Sequence, residues 1–312
     1  MILLTLLLTS TIFVVIIAGR FNTPLEQKNL LSPTSVSSED SGFDIMYDIP
    51  LGTQIKILFD EAHGQYYDSG KLSQFLEDIE RTFWVDVDVN TQPLSDALLS
   101  NYDVLILVNI KVALTSDELN AVKNFINSGG ALFIAGDWYQ YFDPAIYNPI
   151  TGDYGIYWFD ADVKDDTDNG GYNYNPLIHV YENNPTAQLI SNNGTFVVKF
   201  SGTCLNITSS DVDIIGTGDT DTYAVDSSGN TIVTGSNVIV FAGIDLENGG
   251  RIFASGSTEF LDSSRSGFYL NLDYDNKFFA LNAIEWLLRE FIDDFFTIVH
   301  GVSNVSMFVG PD

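Results

Sequence analysis

Ile55-Lys56-Ile57-Leu58-Phe59-Asp60-Glu61-Ala62-His63-Gly64 decides how this chain reads. A run of apolar β-formers breaks into two acids, a histidine and a glycine. That is the pattern of a buried strand ending in a polar loop. Open α/β sheets place their binding crevice at such strand ends. The same grammar returns at 104–108, 131–137 and 251–257. Between these runs lie helical patterns. Leu72, Phe75, Leu76 and Ile79 share one face of a helix over 69–82. Thr115 and Glu118 form a capping box, with Leu114 and Leu119 at the staple positions. Leu119, Val122 and Ile126 continue as its apolar stripe, and Gly129-Gly130 stops it. Residues 83–89 set Phe83, Val85, Val87 and Val89 against Asp86 and Asp88, as a half-exposed edge strand does. The order strand–helix–strand–strand–helix–strand over 55–137 predicts parallel pairing with right-handed crossovers.

The pattern then changes. Residues 138–175 are long, aromatic and acidic without periodicity, and 195–233 hold short alternating runs with a turn at 226–230. Together they predict a long loop and an antiparallel insertion over 138–234, packed beside the main sheet. Residues 238–242 and 251–254 return to that sheet. Phe278, Leu281, Ile284, Leu287, Leu288 and Phe291 line a closing helix. The fold class is α/β: a mostly parallel sheet flanked by helices, with an antiparallel β insertion.

Bulk properties narrow the function. In 312 residues, 45% are hydrophobic, enough for a sizeable core in one large domain or two ordinary ones. Lys and Arg total 13 against 42 Asp and Glu, a net charge of -29. Such a surface repels phosphate backbones, which excludes nucleic acid as a partner. The single cysteine, Cys204, excludes a disulfide framework or a Cys-rich zinc site. It lies in an alternating, strand-like context where cysteine serves as a small buried hydrophobe.

Residues 2–18 are almost wholly apolar. No basic residue precedes them, and Ile16 stands where a cleavage site wants a small side chain, so 1–19 reads as a signal peptide or an uncleaved, helical membrane anchor. Residues 20–52 are rich in Ser, Thr, Pro and acids, a linker or stalk. Sequons begin at Asn193, Asn206 and Asn304. These features predict a glycosylated protein at the cell surface or secreted, held to the membrane by its N-terminal segment.

Four constellations could carry chemistry. Asp60-Glu61-Ala62-His63 has no phosphate-binding loop before it, so a helicase box is excluded. The functional reading is a metal or substrate site of Asp60, Glu61 and His63, joined by Gly64, Gln65 and Asp137; the structural reading is that these side chains cap and shape the turn. Asp160, Asp162, Asp165, Asp166 and Asp168 form the densest oxygen run, of the kind Ca²⁺ takes from a flexible loop, although no EF-hand spacing is present. Otherwise it is a solvated acidic loop. Trp138, Tyr139, Tyr141, Phe142, Tyr147, Tyr154, Tyr157, Trp158 and Phe159 point to sugar stacking, a protein interface, or a cover for the core. Ser257 follows a strand and could present a hydroxyl, without a base at readable spacing.

Taken in order, several of these motifs resemble one family. They are Asp60-Glu61-Ala62-His63-Gly64-Gln65; the block from Leu114-Thr115 to Gly129-Gly130-Ala131-Leu132; Gly249-Gly250-Arg251-Ile252-Phe253-Ala254-Ser255-Gly256-Ser257; and the ending Asn276-x-Phe278-x-x-x-Asn282-Ala283-Ile284-x-Trp286-Leu287. They look like GIFT domains, the class I glutamine-amidotransferase-like domains of intraflagellar-transport subunits, gliding-motility transporter auxiliary proteins and prokaryotic surface proteins. The resemblance covers 53–291 and leaves 292–312 as a tail. It implies a flavodoxin-like sheet and a domain used for binding or assembly. Amidotransferases carry a nucleophilic cysteine on a strand-to-helix elbow and a His-x-Glu pair. Here no cysteine ends a strand, and none of His63, His179 and His300 is followed by that glutamate. Acyl transfer needs an activated nucleophile and a base in reach. The expected function is therefore a non-catalytic surface module that binds protein or glycan without a cofactor, Ca²⁺ aside. The alternatives are a metal-assisted extracellular hydrolase using Asp60, Glu61 and His63, or an auxiliary part of a surface transport system.

Overall fold

The computed structural model describes residues 55–300, with side chains through 288. The apolar segment 1–19, the linker 20–52, the sequon at Asn304 and the side chain of Phe291 lie outside the described residues. Among those described, no helix is long and apolar enough to cross a membrane.

The first half is a regular α/β wind. Strand β1 (Lys56–Asp60) leads to helix α1 (Ser73–Phe83) and strand β2 (Asp86–Asn90). A short α2 (Asp96–Leu99) precedes β3 (Val104–Val108), and α3 (Ser116–Asn127) precedes β4 (Ala131–Ala135). The insertion then contributes α4 (Pro144–Thr151), β5 (Ile156–Trp158), β6 (Asp162–Lys164), β7 (Leu177–Ile178), β8 (Val180–Tyr181) and α5 (Pro185–Ile190). It continues with β9 (Val198–Lys199), β10 (Leu205–Ile207), β11 (Asp213–Thr217), β12 (Tyr223–Val225) and β13 (Thr231–Thr234). Strands β14 (Ile239–Asp245) and β15 (Arg251–Ser255) and helix α6 (Asn276–His300) close the fold.

Strands β2-β1-β3-β4-β15 lie side by side, all parallel. This is the doubly wound order in which the crevice opens beyond the strands' carboxyl ends. The sheet then turns antiparallel through β14, which pairs with β15, β10 and β11, while β5 and β8 extend its far side. The insertion therefore does more than sit beside the sheet: four of its strands enlarge it to ten. Only β6, β12 and β13 form a separate three-stranded sheet, with β7 and β9 as a further pair.

Alternation along the parallel strands divides the core between two faces. Ile57, Phe59, Ile106, Phe133 and Phe253 point to one side, where Phe75 and Ile79 of α1 and Phe279, Ile284 and Leu287 of α6 cover them. Leu58, Leu105, Leu107, Leu132 and Ile134 point to the other, under Val122 and Ile126 of α3. Phe279 sits 4.5 Å from Phe241 of β14, and Phe133 sits 4.9 Å from Phe253. Phe279 is fully buried where the periodicity favoured Phe278, which lies half-buried 6.3 Å from Phe196. Helix α6 also runs on to His300, through residues expected in the tail.

One boundary moved for a clear reason. Phe83 ends α1 rather than starting β2, because Trp84 adopts φ 58° and donates its N–H to the Glu80 carbonyl. That left-handed cap, unusual for a bulky residue, turns the chain within two residues. β2 is an edge strand as expected.

The insertion is tied to the end of β15 by a backbone crossing. Thr203 N–H donates to the Gly256 carbonyl at 2.9 Å, and a side chain on Gly256 would strike the Thr203 carbonyl. We expect Gly256→Ala to cost about 1–3 kcal/mol, the usual penalty of overpacking. Chemical denaturation checks this; an unchanged midpoint would show that the crossing is not close.

Candidate functional site

The loop after β1 is a clamp. His63 is buried, with Nδ1 2.7 Å from Asp60 Oδ2 and Nε2 3.1 Å from Glu118 Oε1. Asp60, fully buried, also accepts from Gln65 Nε2 at 2.6 Å and Asn90 Nδ2 at 2.9 Å. Glu118 is the capping-box residue of α3: Thr115 donates its N–H to Oε2, and Glu118 N–H donates to Thr115 Oγ1. The same carboxylate accepts from Leu94 N. The His63 carbonyl accepts from Lys111 N and Val112 N. One histidine thus joins the ends of β1 and β3 to the start of α3.

Burial works against the His63 imidazolium, but Asp60 and Glu118 outweigh it and raise its pKa above 6.5. Burial also opposes ionised Glu118, and bonds from Thr115 and His63 overcome it and hold its carboxyl below the usual range. Both imidazole nitrogens lie within hydrogen-bond distance of carboxylates. Glu61 faces away, accepting from Ser69 N, and half-exposed Gln65 braces Asp60. Gly64, at φ 69° and exposed, makes the turn. Asp137 lies apart from this knot.

Asp137 belongs instead to a crevice of about 550 Å³ at the sheet's carboxyl edge. Tyr66 and Tyr67 arrive from the loop after β1, Asp137, Trp138 and Tyr141 from the loop after β4, and Glu259 and Arg265 from beyond β15. The insertion adds Asp162, Lys164 and Tyr174. Tyr66 and Tyr141 are about half exposed, and Trp138 meets Tyr139 and Tyr141 edge-on at 5.4 and 5.2 Å. Arg265 bonds Asp262 at 2.6 Å and Glu259 at 2.8 Å, and Lys164 pairs with Asp162 at 3.3 Å. Tyr147 fixes the crevice from beneath: its buried hydroxyl accepts from Ile110 N at 2.7 Å and donates to the Ala135 carbonyl at 3.1 Å. The aromatic run from 138 to 159 therefore splits. Its first tyrosines and Trp138 face the crevice, while Phe142, Tyr147 and Trp158 are core.

Asp137 is 3% exposed. Oδ1 accepts from Trp138 N and Oδ2 from Asn109 Nδ2, both at 2.8 Å. Burial pushes its carboxyl up to about 8, against the pull of the Trp138 N–H. Lys111, also largely desolvated, is shifted down from 10.5.

The remaining expected residues serve the framework. Ser257 is fully buried and donates to the Ser201 carbonyl at 2.5 Å. Cys204 is buried just before β10, and burial pushes its thiol up to about 12, which holds it in the unreactive thiol form. The acidic run is not gathered as one set. Asp160 is exposed, Asp162 faces Lys164, and Asp166 binds Asn173 and Tyr223. Asp165 and Asp168 converge instead on Asp219, Asp221 and His179, groups the spacing alone did not reveal. There Asp165 accepts from Thr167 N, Asp168 N and Thr222 Oγ1, and so folds its own loop. Asn193 and Asn206 are exposed, the latter on β10. Sequence reading missed Asn109, Lys111, Tyr66, Glu259 and Arg265. Their common signal is position, within the ten residues after a parallel strand.

No protein-family model matches the chain, and neither does any curated protein. Solved structures do. The N-terminal domain of mmIFT52 superposes with a TM-score of 0.59 at 14% identity, over 74% of this chain and 96% of that one. The two share a fold. A ThuA-like protein from Bacteroides uniformis matches at TM-score 0.46 and 14% identity, over 80% of this chain and 96% of its own. A cytoplasmic protein from Salmonella typhimurium matches at 0.44 and 13%, over 74% and 98%.

Two pH effects follow. The raised His63 pKa means its contribution is full below about pH 6.5 and is lost as pH rises through the folded value. His63→Ala, which leaves two carboxylates uncompensated, should cost about 3 kcal/mol at pH 6 and less at pH 9. For Asp137 the unfolded chain ionises near 3.8 while the folded chain holds its proton to about 8. The folded state then binds more protons, so stability falls as pH rises across that window. Asp137→Asn should gain on the parent by at least about 1 kcal/mol between pH 4 and 8, the worth of less than one pKa unit. Melting temperatures at both pH values test this; a constant difference would refute it.

Proposed function

We propose that this chain is a non-catalytic binding module of the GIFT type that takes a glycan in the crevice at the carboxyl edge of its sheet. One observation carries the reading: tyrosine and tryptophan faces surround ion-paired, hydrogen-bonding side chains at the edge where doubly wound sheets bind ligands. Sugar rings present apolar faces to aromatics and hydroxyls to charged pairs such as Glu259–Arg265. A buried thiol with a raised pKa supports binding over amide hydrolysis. Cell-surface placement is part of the proposal. It rests on the apolar start, the acidic stalk and the exposed sequons at Asn193 and Asn206.

Calorimetric titration with neutral and acidic oligosaccharides tests the reading. Binding is expected, and Trp138→Ala should weaken it about tenfold, or about 1.4 kcal/mol. Equal affinity in the parent and Trp138→Ala would place any binding elsewhere.

A further inference from the structure

Strand β10 carries Asn206, the acceptor of the sequon Asn206-Ile207-Thr208, with its side chain exposed. Its strand neighbours turn inward. Leu205 is buried and Ile207 packs on the same core, opposite Trp158 and Ile156 of β5. Alternation therefore places Asn206 on the outer face. The residue directly opposite it there is Tyr157. Such opposed residues on antiparallel strands have Cβ atoms about 4.5–5.5 Å apart. Tyr157 is half-buried, and its ring is backed by Gly152, where a Cβ would come within 2.9 Å of the ring's Cε1. The ring is thereby fixed beside the acceptor amide.

Asn206 also lines a groove of about 510 Å³ shared by β10 and β13. Ile232 is 41% exposed there, and Thr231, Thr234 and Asn237 add hydroxyls and an amide. None of the described residues lining the groove is charged, in a protein of net charge -29. An uncharged surface that mixes apolar and hydroxyl groups suits a sugar, which is apolar on its ring faces and polar at its rim. Strand β5 ends the ten-stranded sheet on this side. An open sheet edge invites pairing with another chain unless it is covered. The other described sequon is placed differently. Asn193 sits at φ 56° in an exposed turn after α5, and a Cβ on the next residue, Gly194, would meet nothing within 4 Å.

We infer that Asn206 carries an N-linked glycan whose first, neutral sugars fold back over Tyr157 and into the β10–β13 groove, shielding the sheet edge at β5. The attachment joins Asn206 Nδ2 to the anomeric carbon of a sugar activated there by a phosphate, supplied by a glycosyl transferase. The phosphate leaves with the electron pair of its bond to that carbon, and Nδ2 gives up one proton. Nothing is oxidised or reduced. The groove is then a seat for a group the chain itself carries, and it is separate from the crevice at the carboxyl edge.

This inference rests on the cell-surface part of the reading above, and its test separates the two. The full chain is purified in detergent from its own cells, and its glycopeptides are mapped by mass spectrometry. Asn206 should be modified. Asn206→Gln and Thr208→Val each remove the sequon and should lower the melting temperature by about 2–4 °C. In a Tyr157→Ala or an Ile232→Ser background, the drop caused by Asn206→Gln should shrink to less than half. Ile232 is exposed, so its variant keeps the comparison available should Tyr157→Ala fail to fold. An unmodified Asn206 beside a modified Asn193 overturns the inference and leaves surface placement intact. Both sites unmodified overturns both. A modified Asn206 whose loss leaves the melting temperature unchanged, or lowers it equally in all backgrounds, overturns the seat in the groove.

Discussion

The structure depends on one constraint: three of its parallel strands are buried on both faces, so nothing polar can leave the sheet except at a strand end. β3 and β4 are buried at every residue, and so is β15. Their side chains go alternately under α1 and α6 or under α3, and their backbone groups pair with neighbouring strands. Polar and charged residues near them are therefore displaced to the strand ends, and the crevice-lining ones to the loops at the carboxyl edge. Those loops must be pinned, because a mobile loop over a dry core would expose it. Two devices do the pinning. The Asp60–His63–Glu118 clamp holds the β1 loop to α3, and the Tyr147 hydroxyl ties the exit of β3 to the exit of β4. The crevice is bordered by the loops these two devices pin.

How much of this the sequence disclosed follows the range of the forces involved. Short-range periodicity exposed the parallel strands, the capped helix α3 and the edge position of β2, because burial on one or two faces writes itself into every second or fourth residue. Where two local solutions were nearly equal, tertiary packing chose. Phe83 satisfies both a helix stripe and a strand alternation, and only the left-handed turn at Trp84 decides for the helix. Phe278 and Phe279 both fit a helix face, and the ring of Phe241 selects Phe279. The insertion was legible as antiparallel but not as an extension of the main sheet. Strand partners far apart in sequence, such as β5 and β10, leave no local trace.

The site shows the same limit more sharply. His63 stands out in sequence as a ligand because of its acidic neighbours, yet those neighbours include Glu118, 55 residues away, which takes up its second nitrogen. A histidine between two carboxylates has both ring nitrogens taken up within the fold; a histidine beside one keeps the other nitrogen free. The difference lies wholly in a residue that the sequence assigned to helix capping. Conversely, Asn109 and Lys111 carry no motif. They become distinctive only when the fold buries them and leaves their polar atoms unmatched.

The departure from amidotransferase chemistry can be argued from burial alone. A thiolate nucleophile needs a nearby cation or a base, and an opening to solvent. Cys204 has neither opening nor ionisable partner, and desolvation favours its thiol form. The edge where such scaffolds can do chemistry instead carries Asp137, a carboxyl kept protonated by the same desolvation. A protonated acid, an unpaired amine and an amide oxygen all seek hydrogen bonds rather than electrons. The same desolvation thus keeps Cys204 a thiol and raises the Asp137 carboxyl into the neutral range.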